Sequence, residues 1–453
     1  MLTFDNIIND FFWNMKMNKL FTALVGVYLF MGVPVAASDL HKEIATDYDI
    51  HLGELWEHFH RNPELSLMEV ETAKRLAEEI RAVGFEVTEG VGGTGVVAIM
   101  KNGDGPMVMV RADMDGLPVV EASGLPMSST VRMTDWNGND VGVMHACGHD
   151  VHITSLVGTA RYMSEKRDQW SGTLMLIGQP AEEGYAGAFR MMNDNVWGRF
   201  GQPDYALAFH VSSEYEAGKI SIEDAPYAGS DNVDIIIHGV GAHGAAPHAG
   251  KDPVVIGSQI VLNLQTVVSR ELAPRDAGVI TVGSFHSGTK HNIISDRAHL
   301  QLSVRSLNAE VRQQLLDAIE RIAIGTARTA GVPEDKLPEL SYRKTNYPPT
   351  VNDLAMAGRL RNLVTEKMGS DTLIEVKQKA MGAEDFGFFT TEPYIPSVYF
   401  KVGGTPKEDF DRAAAGGDPV PSHHSPLFKI SPEPSIVAGV EATVVSLMEL
   451  MGK

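Results

Sequence analysis

Cys147 and His149 sit two residues apart in the run His145-Ala146-Cys147-Gly148-His149-Asp150-Val151-His152, and Glu182 and Glu183 follow in Ala181-Glu182-Glu183-Gly184. Thiolate, imidazole and carboxylate together are donors for a divalent metal. Two adjacent glutamates can divide the labour, one coordinating while the other takes a proton from water. A further histidine, His210, closes the apolar run Tyr205-Ala206-Leu207-Ala208-Phe209. Taken singly, a Glu-Glu pair is usually a solvated surface and a strand-end histidine a hydrogen-bonded one. In this order, along alternating strand and helix segments, they imply a metal-dependent hydrolytic centre.

Such residues need elements to carry them. If residues 145–149 run extended ahead of a helix, the period-two alternation puts Cys147 and His149 on one face. Asp150 then stands where the helix begins, with Ile153, Leu156, Val157 and Ala160 as its apolar stripe. Residues 172–179 are a short apolar strand ending at Pro180, which delivers the two glutamates to the carboxyl end of a sheet, where open α/β sheets bind ligands. Residues 205–210 deliver His210 in the same way. Upstream, helical spacing over 44–61 and 69–83 ends at Gly84, and strands 96–100 and 107–110 flank the turn Asn102-Gly103-Asp104-Gly105. The fold class expected is α/β, a largely parallel sheet flanked by helices. After residue 222 the order becomes β-α-β-β-α-β. Strands fall at 233–238, 279–285, 300–304 and 340–343, with helices at 252–272 and 309–330, the pattern of a ferredoxin-like α+β unit. The expected division is a first catalytic part over 38–222, an inserted lid over 223–345, and a second catalytic part over 346–453 that brings His424.

At this point the chain resembles the M20 metallopeptidases and amidohydrolases, in particular their N-acyl-amino-acid amidohydrolases, such as hippurate and indole-acetyl-amino-acid hydrolases. The resemblance rests on Arg111-Ala112-Asp113-Met114-Asp115-Gly116-Leu117-Pro118, the His145–Asp150 run, Gln179-Pro180-Ala181-Glu182-Glu183-Gly184, Gly241-Ala242-His243-Gly244-Ala245-Ala246-Pro247-His248, Tyr347-Pro348-Pro349-Thr350-Val351-Asn352-Asp353, Met381-Gly382-Ala383-Glu384-Asp385-Phe386 and His424-Ser425-Pro426. It implies a binuclear site with Cys147, His149, Glu183, His210 and His424 as ligands and Glu182 as general acid and base. On the residues alone His423 competes with His424; the family pattern selects His424. Asp115 becomes a residue that orients a ligand, against its plainer reading as a turn aspartate. His243 matches a lid residue that stabilises the oxyanion, and Asn292 and Arg305 match positions that hold the substrate's carboxylate or backbone. The lid commonly mediates dimers, so a homodimer is expected. Val151 and Tyr185-Ala186 depart from the glycines usual in this subgroup, which bears on substrate preference.

The rest of the sequence agrees. A chain of 453 residues, 43% hydrophobic, buries enough core for two domains. With 38 Lys plus Arg against 58 Asp plus Glu, a formal charge of −20 and no basic cluster, nucleic-acid binding is excluded. Lys16 and Lys19 precede an apolar stretch from Leu20 to Val33, and Val35-Ala36-Ala37 resembles a cleavage site, so export with cleavage after Ala37 is expected; an uncleaved anchor is the alternative. Met15 or Met17 is a candidate start. The single cysteine, Cys147, forms no internal disulfide, and in an exported chain a metal would protect it as thiolate. The reading is an exported amidohydrolase of N-acyl amino acids using two divalent ions, zinc first and manganese, cobalt or nickel as alternatives. A carboxypeptidase or dipeptidase of the same fold, a silent metal-binding module, and a Cys147 nucleophile activated by His145 or His149 are the competing readings.

Overall fold

The structure, a computed structural model, describes residues 39–343, 345–376 and 381–453. The expected export signal lies outside the described residues. A seven-stranded sheet runs, in spatial order, Glu86–Val91, Gly95–Asn102, Gly172–Gln179, Met107–Asp113, Tyr205–Glu216, Ser397–Thr405 and Ile220–Ser221. The four central strands, Gly172–Gln179 to Ser397–Thr405, are mutually parallel and the margins antiparallel. Alternation sorts the side chains onto two faces. Along Tyr205–Glu216, Leu207, Phe209 and Val211 join a large core beneath the helices Val70–Ala82, His149–Glu165 and Pro432–Met451. Ala206 and Ala208 join a smaller core with Met191, Val196 and Phe389 on the other face.

The chain leaves this sheet after Ile220–Ser221 and returns to it at Ser397–Thr405. Between the two lies a four-stranded antiparallel sheet in the order Gly278–Ser287, Arg297–Ser306, Gly229–His238, Glu339–Tyr342. In chain order these are strands two, three, one and four, as the β-α-β-β-α-β pattern predicts. Helices Pro253–Thr266 and Ala309–Thr329 close its own apolar core, built on Ile235, Ile237, Ile260, Leu300 and Ile319. Asp252 and Asn308 cap them, their side chains accepting from Val254 and Val311 N–H at 2.9 and 2.8 Å.

Several local expectations are corrected. Residues 145–148 form a turn rather than an extended segment, because Gly148 adopts φ +81° and His149 is already the first residue of its helix. Asn102–Gly105 is no hairpin turn: Gly172–Gln179 lies between the two strands that flank it. The strand carrying His210 continues to Glu216, so the histidine sits within it. The helix that Asp252 opens is regular only to Thr266, and Val267–Glu271 widens into a π-turn.

Candidate metal centre

Each donor arrives on a different element. His149 opens its helix, Cys147 lies on the turn before it, His210 projects from the central sheet, Glu183 follows the strand Gly172–Gln179, and His424 lies on a loop with φ +64°. Donor atoms of Cys147, His149 and His210 fall within 4.8 Å of one another, as do those of Cys147, Glu183 and His424, and of His149, Glu182 and Glu183. All five residues that the resemblance implies as ligands therefore converge, with Glu182 beside them.

The hydrogen bonds say which atoms remain for a cation. His149 donates from Nδ1 to the Asp115 carbonyl at 2.8 Å, and His210 from Nδ1 to the Val211 carbonyl at 2.6 Å. Both rings thereby turn Nε2 towards the cluster. His149 Nε2 and Glu183 Oε1 are buried with no hydrogen-bond partner among the described residues. Orphaned buried acceptors are costly unless a ligand satisfies them. His424 Nε2 approaches Glu183 Oε1 to 3.1 Å without hydrogen-bond alignment. Burial and the charges of Glu183, Glu182 and Asp113 push the Cys147 thiol well above its ordinary range. A site so rich in buried acceptors and carboxylates fits divalent ions, which would hold Cys147 as thiolate. A cysteine nucleophile fits it less well: the hydrogen-bond-distance neighbour of Sγ is His210 Nε2 at 3.4 Å, not His145 or His149, and burial disfavours the thiolate.

His423 and His424 separate clearly. His423 Nε2 accepts from Ser213 N–H at 3.1 Å, and its Nδ1 faces Cys147 Sγ at 3.8 Å, while burial pushes its pKa down to about 3. His424 joins the donor group. His152 is likewise satisfied, donating from Nδ1 to Asp113 at 2.5 Å and accepting at Nε2 from Val211 N–H at 2.8 Å.

Asp115 organises the glutamates. Its carboxylate accepts from Glu182 N–H and Glu183 N–H, each at 3.1 Å, and from Ser66 Oγ at 2.6 Å, while its carbonyl holds His149. It is thus no plain turn residue. Ala181 and Ala186 both adopt φ +54°, a conformation non-glycine residues rarely take, and Glu69 anchors this turn by accepting from Ala181 N–H at 2.8 Å. Burial, then Glu384, Glu183 and Asp385, raise the Glu182 carboxyl well above the usual carboxylate range. Arg111 offsets part of that charge, reaching Gln179 at 2.8 Å, Asp113 at 2.7 Å and Glu384 at 2.8 Å from full burial.

A cavity of about 370 Å³ opens onto this centre, lined by Cys147, Glu182, Glu183, His210, His424, Tyr227, Glu384 and Lys401 among others. Tyr227 and Lys401 escape sequence reasoning because no motif marks them; Glu384 and Arg111 lie inside motifs whose roles only the tertiary contacts disclose. The three residues assigned to substrate are elsewhere. His243 is exposed on a two-residue strand paired with Ile293–Ile294, and its Nδ1 accepts from Ala245 N–H at 3.0 Å. Asn292 adjoins it, its carbonyl accepting from Gly244 N–H at 2.8 Å. Arg305 lies in the second sheet between Ser230 and Val279. None of the three is among the described residues lining the cavity.

Nitrogen, sulfur and oxygen donors around a neighbouring carboxyl, at the carboxyl end of a parallel sheet, are the equipment of a metal-dependent hydrolase. The comparisons place it more closely. Residues 109–418 match the model of peptidase family M20/M25/M40. The chain is 38% identical over 349 residues to thermostable carboxypeptidase 2 of Saccharolobus solfataricus, covering 76% of this chain and 83% of that one. It is 35% identical over 333 residues to the hippurate hydrolase of Campylobacter jejuni, covering 73% and 82%. A dinuclear metal binding peptidase of the M20 family from Bacillus subtilis superposes with a TM-score of 0.72 at 27% identity, covering 90% of this chain and 99% of that one. The chain belongs to peptidase family M20/M25/M40, and is a metal-dependent hydrolase of amide bonds in small molecules.

Proposed function

We propose that this protein is an exported amidohydrolase that cleaves N-acyl amino acids with two divalent ions held by Cys147, His149, Glu183, His210 and His424. The observation that carries it is the convergence of those five donors in overlapping groups, with a second carboxyl, Glu182, within 4.8 Å of the His149 and Glu183 donor atoms. When bound, divalent ions there supply Lewis-acid activation of water and of the scissile carbonyl. Zinc suits the thiolate and imidazoles best.

Glu182 accepts the proton of the attacking water and passes it to the leaving amine nitrogen. Its backbone N–H, held by Asp115 at 3.1 Å, keeps the carboxyl in place for both steps. His243, Asn292 and Arg305, from the proposed lid over 223–345, are assigned to the oxyanion and the carboxylate. Those roles need the second sheet of the same or another copy to approach the cavity. Exposed Val255, Leu262 and Val279 support a homodimer through this part. A Leu262→Lys variant that sediments as the wild type does would remove that support. Export rests on Lys16, Lys19 and the apolar stretch after them.

A peptidase reading stands second, favoured by the similarity to a carboxypeptidase. Metal-stripped protein reloaded with zinc, manganese, cobalt or nickel, and assayed on N-acetyl, N-benzoyl and N-indole-acetyl amino acids and on dipeptides, separates the two. Faster turnover of dipeptides than of every acyl amino acid would favour the peptidase.

A further inference from the structure

Lys401 stands where an apolar residue is expected. Its strand, Ser397–Thr405, lies inside the seven-stranded sheet, and its neighbours Phe400 and Val402 are 2% and 0% exposed. Strands of a covered parallel sheet read as continuous apolar runs, and a lysine among them carries a desolvation cost. Alternation puts Val398, Phe400 and Val402 into the large core and leaves Tyr399 and Lys401 on the opposite face. The register sets Lys401 beside His210 on the adjoining strand, about 4.8 Å away at the backbone. Its ammonium therefore enters the cavity that holds the metal donors.

There Nζ lies 3.1 Å from Glu223 Oε1 and 5.0 Å from the centroid of the Tyr227 ring. That glutamate oxygen is buried with no hydrogen-bond partner among the described residues, so the two charges touch without alignment. The Tyr227 ring also lies 6.2 Å from the His210 ring, which bridges the lysine to the donor cluster. Among the described residues lining the cavity, Lys401 is the one lysine or arginine, against the carboxyls of Glu182, Glu183, Glu214, Glu223 and Glu384 in the same lining. Apart from the metal donors' own cations, such a cavity attracts an anion at Lys401 and repels it elsewhere.

We propose that Lys401 is a specificity-determining residue whose ammonium takes a carboxylate of the substrate, leaving Glu223 to do so. The proposal rests on the N-acyl-amino-acid reading. Two carboxylates have the required chemistry, the α-carboxylate of the amino-acid part and an acidic side chain on it. The test uses metal-loaded Lys401→Met and Lys401→Arg, with metal content and circular dichroism as controls. kcat/KM is measured for an N-acyl amino acid, its carboxamide, and an N-acyl amino acid with an acidic side chain. In Lys401→Met, kcat/KM should fall about tenfold to a hundredfold for the carboxylate concerned, through KM, and at most about threefold for the carboxamide. Lys401→Arg should recover part of the loss. A loss on both acids identifies the α-carboxylate, and a loss on the acidic side chain alone identifies that group. Equal losses on acids and carboxamide overturn the proposal.

If Lys401→Met does not fold, Glu223→Gln replaces it. Freed from its counter-ion, the ammonium should then lower KM for the acids, and an unchanged or raised KM overturns the proposal. Should the wild type hydrolyse none of these compounds, the N-acyl-amino-acid reading fails by itself. Calorimetric binding of benzoate against benzamide to metal-loaded wild type and Lys401→Met then decides the proposal, and an equal preference in both proteins overturns it.

Discussion

At the scale of single residues, Glu182 and Cys147 line the same cavity yet have opposite expected responses to substitution. Glu182→Gln keeps a side chain of the same shape, and no donor is lost. Turnover should fall on the order of a hundredfold or more, the usual contribution of a general base, while metal content after dialysis stays at the wild-type value. Activity near that of the wild type would remove Glu182 from its role. Cys147→Ser should do the reverse at first hand, weakening metal retention because an alcohol is a poorer donor than a thiolate. Plasma emission analysis of both dialysed variants reads the difference; a metal-replete but inactive serine variant would restore the nucleophile reading. Asp115 belongs with these residues, since its two oxygens hold the Glu182 and Glu183 N–H groups and its carbonyl fixes the His149 ring.

At the scale of elements, the centre depends on turns more than on regular structure. Gly148 at φ +81° lets the chain pass from Cys147 directly into the helix that His149 opens. A Cβ there would meet Val211 Cγ1 at 2.3 Å, and Val211 follows His210 on its strand. Gly148→Ala therefore adds left-handed strain of about 1–2 kcal/mol to an overlap costing roughly 1–3 kcal/mol, and relief must come from moving one donor away from the others. The variant should unfold several degrees earlier and hold less metal than the wild type. Full metal content together with an unchanged Tm would show that the turn tolerates a side chain. The Ala181 and Ala186 turns, also left-handed, frame the two glutamates in the same manner from the other side of the cluster.

At the scale of the whole molecule, buried ion pairs tie distant segments around the site. His60 donates from Nδ1 to Asp150 at 2.7 Å and from Nε2 to Glu121 at 3.2 Å, joining the helix Gly53–Arg61, the helix of His149 and the loop carrying Glu121. That loop continues to Ala122, whose N–H meets the Pro426 carbonyl at 2.7 Å, close to His424. Burial alone would lower the pKa of His60, but Asp150 and Glu121 raise it to about 10, and both carboxyls are held below their usual range against their own burial. The sign follows from linkage. The histidine's share of the stability is complete below the unfolded value of about 6.5 and fades as pH rises through about 10; the carboxylates' share is lost as pH falls below about 4. Breaking such a pair costs about 3–5 kcal/mol. The urea midpoint of His60→Gln should therefore lie furthest below that of the wild type near pH 6 and approach it towards pH 10. A gap that widens with pH would contradict this.

The donors were legible in the sequence because ligation is a property of residue type and order: Cys147, His149, Glu182, Glu183 and His210 announce themselves wherever the chain puts them. The α/β class and the β-α-β-β-α-β segment were legible too, since hydrophobic periodicity is local. His424 needed the family pattern; in the structure it lies with Cys147 and Glu183, while its neighbour His423 accepts at Nε2 from Ser213 N–H. Only the tertiary structure brought Arg111 to Glu384, His60 to Asp150 and Glu121, and Lys401 to the cavity wall, contacts spanning up to 273 residues of chain. Such contacts depend on strand order and register, which no local pattern encodes. The order Gly172–Gln179 before Met107–Asp113 in space, with the strand Ser397–Thr405 arriving beside His210 after the whole second sheet, was decided by long-range packing of buried faces.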